Sequence, residues 1–339
     1  MSKIRSIRQC ASPCGLALSS LLIGATASFA TGGMLKADVS VFDEEGVPCR
    51  AAEVNVSVLL PDPTARKAKY HRVKKAYDGV EPITIESASV GRIIVRAEKP
   101  GTYPYRELYV FPSVDEKRNR YLPWGKSFRI VLKKKVNPRP LYVCRVDWLA
   151  VPKLDAPIGF DLEKADWVAP YGEGKRGDFV FTLNRTLGEG ELYEGTMELS
   201  FSNPRDGILP VAADDDHGLL LLGREASLDG YLSSSKRQVG VYNVEPNRLR
   251  RVDVPSEAEL NSYAGHWFRV RSEIDEATGE LKQARYGKIE GFIHFEVRGR
   301  DEPARVQFIY YLAPDESRSL EFNGESLVDH ADVRGVMKR

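Results

Sequence analysis

The densest cluster of potential metal ligands is a run of three aspartates, a histidine and a glycine that ends at Gly218. The candidate ligands are Asp214, Asp216 and His217. Carboxylate oxygens on a loop suit Ca²⁺, and an imidazole would admit a transition metal. A calcium loop of the EF-hand type needs glycine at its sixth position, where this sequence has Leu219. This mismatch argues against an EF-hand, so the sequence predicts no cofactor. A Ca²⁺ site of another kind stays an alternative to a solvated acidic turn.

A second group of candidates combines aromatic rings with cations. Tyr121, Trp124 and Lys126 lie close together in a basic stretch, and alternation places Trp267 on the outward side of its strand. Aromatic rings on the surface of a β-sheet can stack on the apolar faces of sugars. We therefore predict these four residues as glycan contacts. Packing in the core is the alternative for the tryptophans.

No short catalytic motif is found in the sequence. There is no Gly-x-Ser-x-Gly elbow, phosphate loop or dinucleotide fingerprint, and the five histidines are scattered. Glycosidases use two carboxylates, but with 48 acidic residues such a pair can always be nominated, so their presence decides nothing. The sequence leaves open whether the protein is an enzyme, but the absence of these motifs favours a non-catalytic protein.

The first thirty residues have the pattern of a secretory signal peptide. Lys3, Arg5 and Arg8 form a basic start, Gly15–Phe29 is apolar or small, and Ala30 ends a small-x-small cleavage site. The alternative is an uncleaved anchor. No other segment is apolar enough to span a membrane. We expect the mature protein to be secreted, periplasmic or at the cell surface.

Removal of that segment would leave two cysteines, Cys49 and Cys144. An oxidising compartment would allow them to form a disulfide. Closing a loop of about 95 residues would stabilise the fold by about 4 kcal/mol if chain entropy dominates. The alternative is two buried free thiols that pack as small apolar side chains.

Charge divides the chain into a basic and an acidic part. Residues 35–143 contain 21 Lys and Arg against 13 Asp and Glu, whereas residues 144–339 contain 25 against 35. Different surfaces suggest two domains, which we place at 35–143 and 144–330, followed by a polar tail at 331–339. The basic part would attract anionic glycans or other envelope components. Nucleic acid is not expected as a partner, because an exported protein rarely meets it.

Both parts show the alternation of apolar and polar residues that is typical of half-buried strands. It is clearest over Trp267–Leu312, where three alternating runs are separated by turn sequences. Ala37–Phe42 and Ala52–Leu60 repeat the pattern in the basic part. Helical periodicity is almost absent. The sequence therefore predicts an all-β fold of two β-sandwich domains in series with little helix.

The first hairpin carries a pattern with a known counterpart. Its residues are Val41, Asp43, Gly46, Pro48, Ala52, Val54 and Val56. The pattern resembles the opening hairpin of carboxypeptidase-regulatory-like modules, which are small transthyretin-like β-sandwiches common in exported bacterial proteins. Cys49 stands where those modules usually have an apolar residue. Such modules are usually non-catalytic, so the resemblance implies a fold and no active-site residue. The segment 159–172 resembles uncharacterised exported bacterial proteins, which implies no activity.

These observations favour an exported, non-catalytic binding or scaffolding protein of the bacterial envelope or exterior, recognising a glycan or another envelope protein. One alternative is a secreted carbohydrate-active enzyme with its site in the acidic domain. Another is an adhesive or pilus-type assembly subunit, in which edge strands pair with a partner chain.

Overall fold

The structure is a computed structural model, and every regular element in it is a β-strand, which confirms the all-β prediction. It describes residues 32–61, 69–187, 193–212, 222–245, 248–254, 263–297, 302–329 and 336–337. The predicted signal peptide lies outside these residues. Among the residues described, no helix could cross a membrane.

The strands fall into two groups that follow one another along the chain. The first group is β1 (Gly33–Phe42), β2 (Glu53–Leu59), β3 (Tyr70–Ala76), β4 (Ile83–Ser89), β5 (Arg92–Glu98), β6 (Tyr105–Val110), β7 (Ser113–Asp115), β8 (Arg120–Leu122) and β9 (Lys126–Val131). The second group is β10 (Arg139–Ala150), β11 (Pro157–Asp161), β12 (Asp166–Trp167), β13 (Phe179–Leu187), β14 (Tyr193–Ser200), β15 (Gly207–Ala212), β16 (Ser234–Glu245), β17 (Arg248–Val254), β18 (Tyr263–Ile274), β19 (Leu281–Glu296), β20 (Arg305–Leu312), β21 (Phe322–Ser326) and β22 (Val336–Met337).

The first group forms two sheets that pack face to face. One sheet has the order β4-β1-β8-β7, with β9 parallel to β1, and the other has the order β3-β2-β5-β6. The alternate residues Val54, Val56 and Val58 are buried against Val39 and Val41 of the opposite sheet. Strict period-two burial in β4 and β5 keeps the other face of each strand towards solvent.

The second group forms a larger sandwich around an aromatic core. Its sheets have the orders β12-β11-β13-β14-β16-β17 and β15-β18-β19-β20-β10-β21. The ring of Phe179 meets Phe268 of the opposite sheet edge to face, with centroids 5.0 Å apart. Phe160 meets Phe308 in the same way at 5.6 Å. Such offset contacts between the sheets stabilise the packing beyond the burial of apolar area alone.

The two groups meet around the buried carboxylate of Glu321. Its oxygens accept hydrogen bonds from the backbone N–H groups of Val136 (3.0 Å) and Asn137 (2.8 Å), and from the hydroxyl of Tyr103 (3.2 Å). Arg224 lies 3.6 Å away and also bonds Glu44 of the first group at 2.5 Å. The segment between the groups is therefore fixed by hydrogen bonds from both sides.

The change from one group to the other falls earlier than residue 143. Strand β10 begins at Arg139, and its residues Leu141 and Val143 pack with Tyr286 and Leu320 of the second group. Leu141 and Val143 therefore belong to the larger sandwich, although the predicted boundary placed them in the first domain. The division of the chain into two domains stays a prediction.

The two cysteines are buried in different cores. Cys49 packs in the core of the first sandwich and Cys144 in that of the second, and both thiols are free. The disulfide considered from the sequence is therefore wrong for this structure, because each core closes around its own cysteine. Burial raises the pKa of Cys144 to about 12, although a hydrogen bond with Tyr310 acts in the opposite direction. Burial also raises the pKa of Cys49.

We expect both thiols to resist alkylation in the folded protein, because the thiolate is the reactive species and both pKa values are raised. Treatment with iodoacetamide before and after denaturation, followed by peptide mass spectrometry, measures this. Cys49 and Cys144 should be modified only after denaturation. A peptide in which the two are joined by a disulfide, found in unreduced protein, would contradict the structure.

Candidate functional site

A polar cavity of about 300 Å³ opens at the end of the larger sandwich where β11 stops. Most of the side chains around it are charged, with five cations and two carboxylates. They are Asp161, Glu163, Lys164, Lys175, Arg176, Arg271 and Arg285. The excess of cations makes it a candidate site for an anion.

The buried carboxylate of Asp161 organises both loops that border the cavity. Its Oδ1 accepts hydrogen bonds from the backbone N–H groups of Glu163 (2.9 Å) and Lys164 (3.2 Å). Its Oδ2 accepts from the N–H groups of Lys175 (2.8 Å) and Arg176 (3.1 Å). One side chain thus brings together two segments more than ten residues apart in sequence.

The loop that carries Lys175 and Arg176 is held against β12. The Asp166 carboxylate accepts the backbone N–H of Glu173 at 2.7 Å. A Cβ atom at Gly174 would lie 2.8 Å from the carbonyl oxygens of Asp166 and Trp167, closer than side chains allow. Glycine at this position therefore lets the loop approach the strand, and the two cations are held in place.

Arg271 joins the two carboxylates of the cavity, Asp161 and Glu163, to the buried carboxylate of Asp178. Its Nε and Nη2 donate to the two oxygens of Asp178 at 2.7 and 2.8 Å, which is a bidentate pair. Nη1 lies 2.6 Å from Glu163, and Nη2 lies 3.4 Å from Asp161. Arg285 also bonds Glu163. The carboxylates of the cavity are therefore already bound to arginines.

The backbone at Arg271 is adapted to this task. Its φ is +57°, a left-handed value that is uncommon for a residue other than glycine, and the pairing of β18 with β19 shifts register there. The carboxylate of Asp206 accepts the backbone N–H groups of Arg271 and Ser272, both at 2.9 Å. This bulge is what redirects the guanidinium towards the cavity.

Burial and pairing act in opposite directions on these charges. Burial raises the pKa of Asp178, against the hydrogen bonds of Arg271. Burial also tends to raise the pKa of Glu163, but the hydrogen bonds from Arg271 and Arg285 outweigh burial, and the pKa of that carboxyl is lowered. Burial alone would lower the pKa of Arg271, yet its carboxylate partners raise it, so the guanidinium stays charged. The network is held together as ion pairs.

Three cations that line the cavity have no ion-pair or hydrogen-bond partner among the described residues. Lys164, Lys175 and Arg176 are each exposed, or nearly so, and within the described part of the chain their side chains form no ion pair and no hydrogen bond. Uncompensated cations on fixed loops are suited to binding a carboxylate, sulfate or phosphate group. The sequence analysis did not predict this cavity, although three of its residues, Asp161, Glu163 and Lys164, lie in the segment 159–172 that resembles exported bacterial proteins.

The structure brings together three of the four predicted glycan contacts. Tyr121 is in β8, Lys126 begins β9, and Trp124 is in the turn between them. The two rings are partly covered, since the Arg120 guanidinium lies 5.1 Å from the Trp124 ring and the Tyr121 ring packs against the core of the first sandwich. The Lys126 ammonium lies 4.9 Å from the Tyr109 ring. Their role in glycan binding stays a prediction.

Trp267 is separated from that group. It is in β18 of the larger sandwich and points away from the aromatic core, but the segment from residue 222 covers it. Its indole N–H donates to the Leu222 carbonyl at 3.0 Å, and the ring packs against the small cluster that contains Leu141, Tyr286 and Leu320. Trp267 therefore belongs to a small third core and does not form a common platform with Trp124.

The predicted metal ligands Asp214, Asp216 and His217 lie outside the described residues. Among the residues that are described, no group of three His, Cys, Asp or Glu side chains is arranged to hold a metal ion. Ca²⁺ binding therefore stays a prediction.

A second cavity of about 290 Å³ lies between the two sheets of the larger sandwich and is mainly apolar. Met197, Ile208, Leu232 and Phe292 contribute to its wall, together with His266. Burial lowers the pKa of His266, against a hydrogen bond with the Gly291 carbonyl. The polar lining of the cavity consists of Ser234, Ser235, Lys236 and Arg237 in addition to His266.

Comparison with known proteins identifies no family. No family model matches the chain, and no curated protein matches it. Several solved structures are distantly similar, including the following three. A 3-chlorocatechol 1,2-dioxygenase from Rhodococcus opacus 1CP has 13% identity and a TM-score of 0.24, covering 31% of this chain and 61% of that one. BcpA, the major pilin subunit of Bacillus cereus, has 9% identity and a TM-score of 0.23, covering 81% and 95%.

The third is a proposed carbohydrate-binding protein from Bacteroides uniformis, with 11% identity and a TM-score of 0.16, covering 81% of this chain and 96% of that one. Likenesses at these scores carry no functional argument. The relation of the first sandwich to carboxypeptidase-regulatory-like modules stays a prediction.

We expect Asp178→Asn to destabilise the protein, because it leaves the buried guanidinium of Arg271 short of one negative charge. Breaking a buried pair from one side costs about 3 kcal/mol. Urea denaturation should show this decrease in the free energy of unfolding. Glu173→Gln removes a charge from the exposed loop nearby and should leave stability unchanged. Equal stability of the two variants would contradict the role assigned to the network.

Proposed function

We propose that this protein is an exported, non-catalytic binding protein that recognises an acidic glycan, and that the basic cavity holds one of the glycan's anionic groups. The observation that carries the proposal is the set of uncompensated cations at the rim, Lys164, Lys175 and Arg176. Export rests on the basic and apolar pattern of the first thirty residues.

The state of the carboxylates supports binding over hydrolysis. A glycosidase needs one carboxyl group to donate a proton and another to act as base or nucleophile at the same sugar bond. Of the two carboxylates that line the cavity, Asp161 accepts four backbone hydrogen bonds, and Glu163 is paired with Arg271 and Arg285. A ligand in the cavity would therefore meet mainly cations and few free carboxylate oxygens.

The size and surroundings of the cavity support a sugar as the ligand. Its volume of about 300 Å³ is at the lower end of pockets that hold small ligands, which suits one acidic sugar unit better than a folded partner. Tyr171 lies on the same loop as Lys175 and is 44% exposed. Its ring could stack on the apolar face of a neighbouring sugar, while the cations bind the acid groups.

The edge strand β3 does not favour the alternative of assembly by strand pairing. β3 is at one edge of its sheet and carries Arg72, Lys74 and Lys75, all exposed. Charged side chains on an edge strand oppose pairing with another sheet.

Neutralising the rim tests the proposal. We expect the triple variant K164Q/K175Q/R176Q to bind uronate or sulfate oligosaccharides about tenfold more weakly, because three charge contacts are lost. The weakening should be smaller at high salt, where the parent also binds less tightly. Isothermal titration calorimetry measures the affinities, and the melting temperature should not change because these side chains have no internal partners.

The matched control is Lys153→Gln, which removes an exposed charge from the same sandwich but not from the cavity. It should bind acidic oligosaccharides as tightly as the parent does. Both proteins should bind neutral oligosaccharides no more tightly than acidic ones. Parent and triple variant with equal affinity for acidic glycans, or a parent that binds none of them, would overturn the proposal.

A further inference from the structure

The four-stranded sheet of the first sandwich has a second, solvent-facing side that is unusually basic. Residues at alternate positions point away from the core, and they include Arg72 and Lys74 of β3, Arg92 and Arg96 of β5, and Arg106 of β6. All five are exposed. We refer to these five residues as the basic face.

The strand register places several of these residues in one row. Lys74 is opposite Asn55, Asn55 is opposite Arg96, and Arg96 is opposite Arg106. Directly opposite side chains start about 5 Å apart at Cβ, and like charges in that relation destabilise a sheet. The row therefore places two arginines side by side in an unfavourable arrangement.

Two carboxylates lie on the same side of the sheet, Glu53 of β2 and Glu98 of β5, which are opposite each other in the register. Lys74 is paired with Glu53 at 2.7 Å, and the Arg72 guanidinium lies 6.0 Å from the Tyr70 ring. In the part of the chain that the structure describes, the side chains of Arg92, Arg96 and Arg106 form no ion pair and no hydrogen bond. Arg96 and Arg106 are thus opposite each other in the register, and neither has an ion-pair partner within the described residues, which favours an external anionic partner.

We infer that the basic face is a docking surface for a linear acidic polysaccharide, whose repeated carboxylate or sulfate groups bind across its rows of arginines. The inference rests on the proposed function for the class of ligand and adds to it. The cavity of the larger sandwich would hold one acidic unit, whereas this face would hold a length of the polymer.

The side chains between the arginines favour a polysaccharide over single-stranded nucleic acid. Sheets that bind single strands stack the bases on aromatic side chains of their central strands. Here the central position between Arg92 and Arg96 is Ile94, and its neighbour on β6 is Leu108, which is 56% exposed. Flat aliphatic contacts combined with guanidinium groups suit the C–H faces and acid groups of a uronate chain.

The double variant R96Q/R106Q tests the inference. Its matched control, K117Q/R118Q, removes two exposed charges from the turn before β8, outside this sheet. Calorimetry would compare the parent, both double variants and K164Q/K175Q/R176Q with a long polyuronate and with the uronate disaccharide. A fluorescent single-stranded oligonucleotide serves as the competing probe.

We expect R96Q/R106Q to bind the polymer about tenfold more weakly and the disaccharide as the parent does. The cavity variant should bind the disaccharide about tenfold more weakly than the parent does, and K117Q/R118Q should bind both ligands as the parent does. Polymer binding that R96Q/R106Q leaves unchanged, or that K117Q/R118Q weakens equally, would overturn the inference while the proposed function stands. A parent that binds neither ligand would overturn both.

Stability provides an independent readout. Because Arg96 and Arg106 repel each other, Arg106→Gln should raise the melting temperature at low salt and have less effect at high salt. A residue that merely supports the fold would lower it. A lower melting temperature for Arg106→Gln, or a parent that binds the oligonucleotide more tightly than the polyuronate, would contradict the docking surface we infer.

Discussion

The larger sandwich depends on one buried interaction, the bidentate pair between Arg271 and Asp178. Arg271 is in β18 of one sheet, and Asp178 directly precedes β13 of the other. Burying two charges is unfavourable unless the pair has good geometry and further hydrogen bonds. Asp161 and Glu163 supply those bonds, and Asp161 also holds the adjoining loops through the backbone. The same network thus joins the sheets and shapes the cavity.

The two sandwiches use charge in opposite ways. In the larger one, buried carboxylates satisfy buried arginines, so that the cations left over are those of the loops, such as Lys175 and Arg176. In the smaller one the buried polar side chains are the uncharged Ser57, Ser87 and Ser89, and the arginines of β5 and β6 are on the outside. The basic and acidic parts seen in the sequence therefore correspond to different placements of charge and not only to different totals.

Alternation along the chain predicted the strands because each strand turns one face to a core. Val54, Val56 and Val58 illustrate this, as do Phe268 and Val270. The cavity could not be predicted in the same way, since Arg271 is 93 residues from Asp178 and 110 from Asp161. Their contact depends on strand order, on sheet packing and on a bulge at Arg271, none of which leaves a periodic signal.

For Trp267 and Arg96, the local sequence pattern predicts the side of the strand but not the residues that surround the side chain. Alternation indicates the side of the strand on which Trp267 lies, but the cover over that side comes from a distant segment that begins at Leu222. Alternation likewise places Arg96 outward, but the arginine opposite it is set by the register with β6. A count of charges treats paired and unpaired arginines alike, and the whole chain sums to +1. Pairing is what separates the charges that hold the fold from those available to a partner.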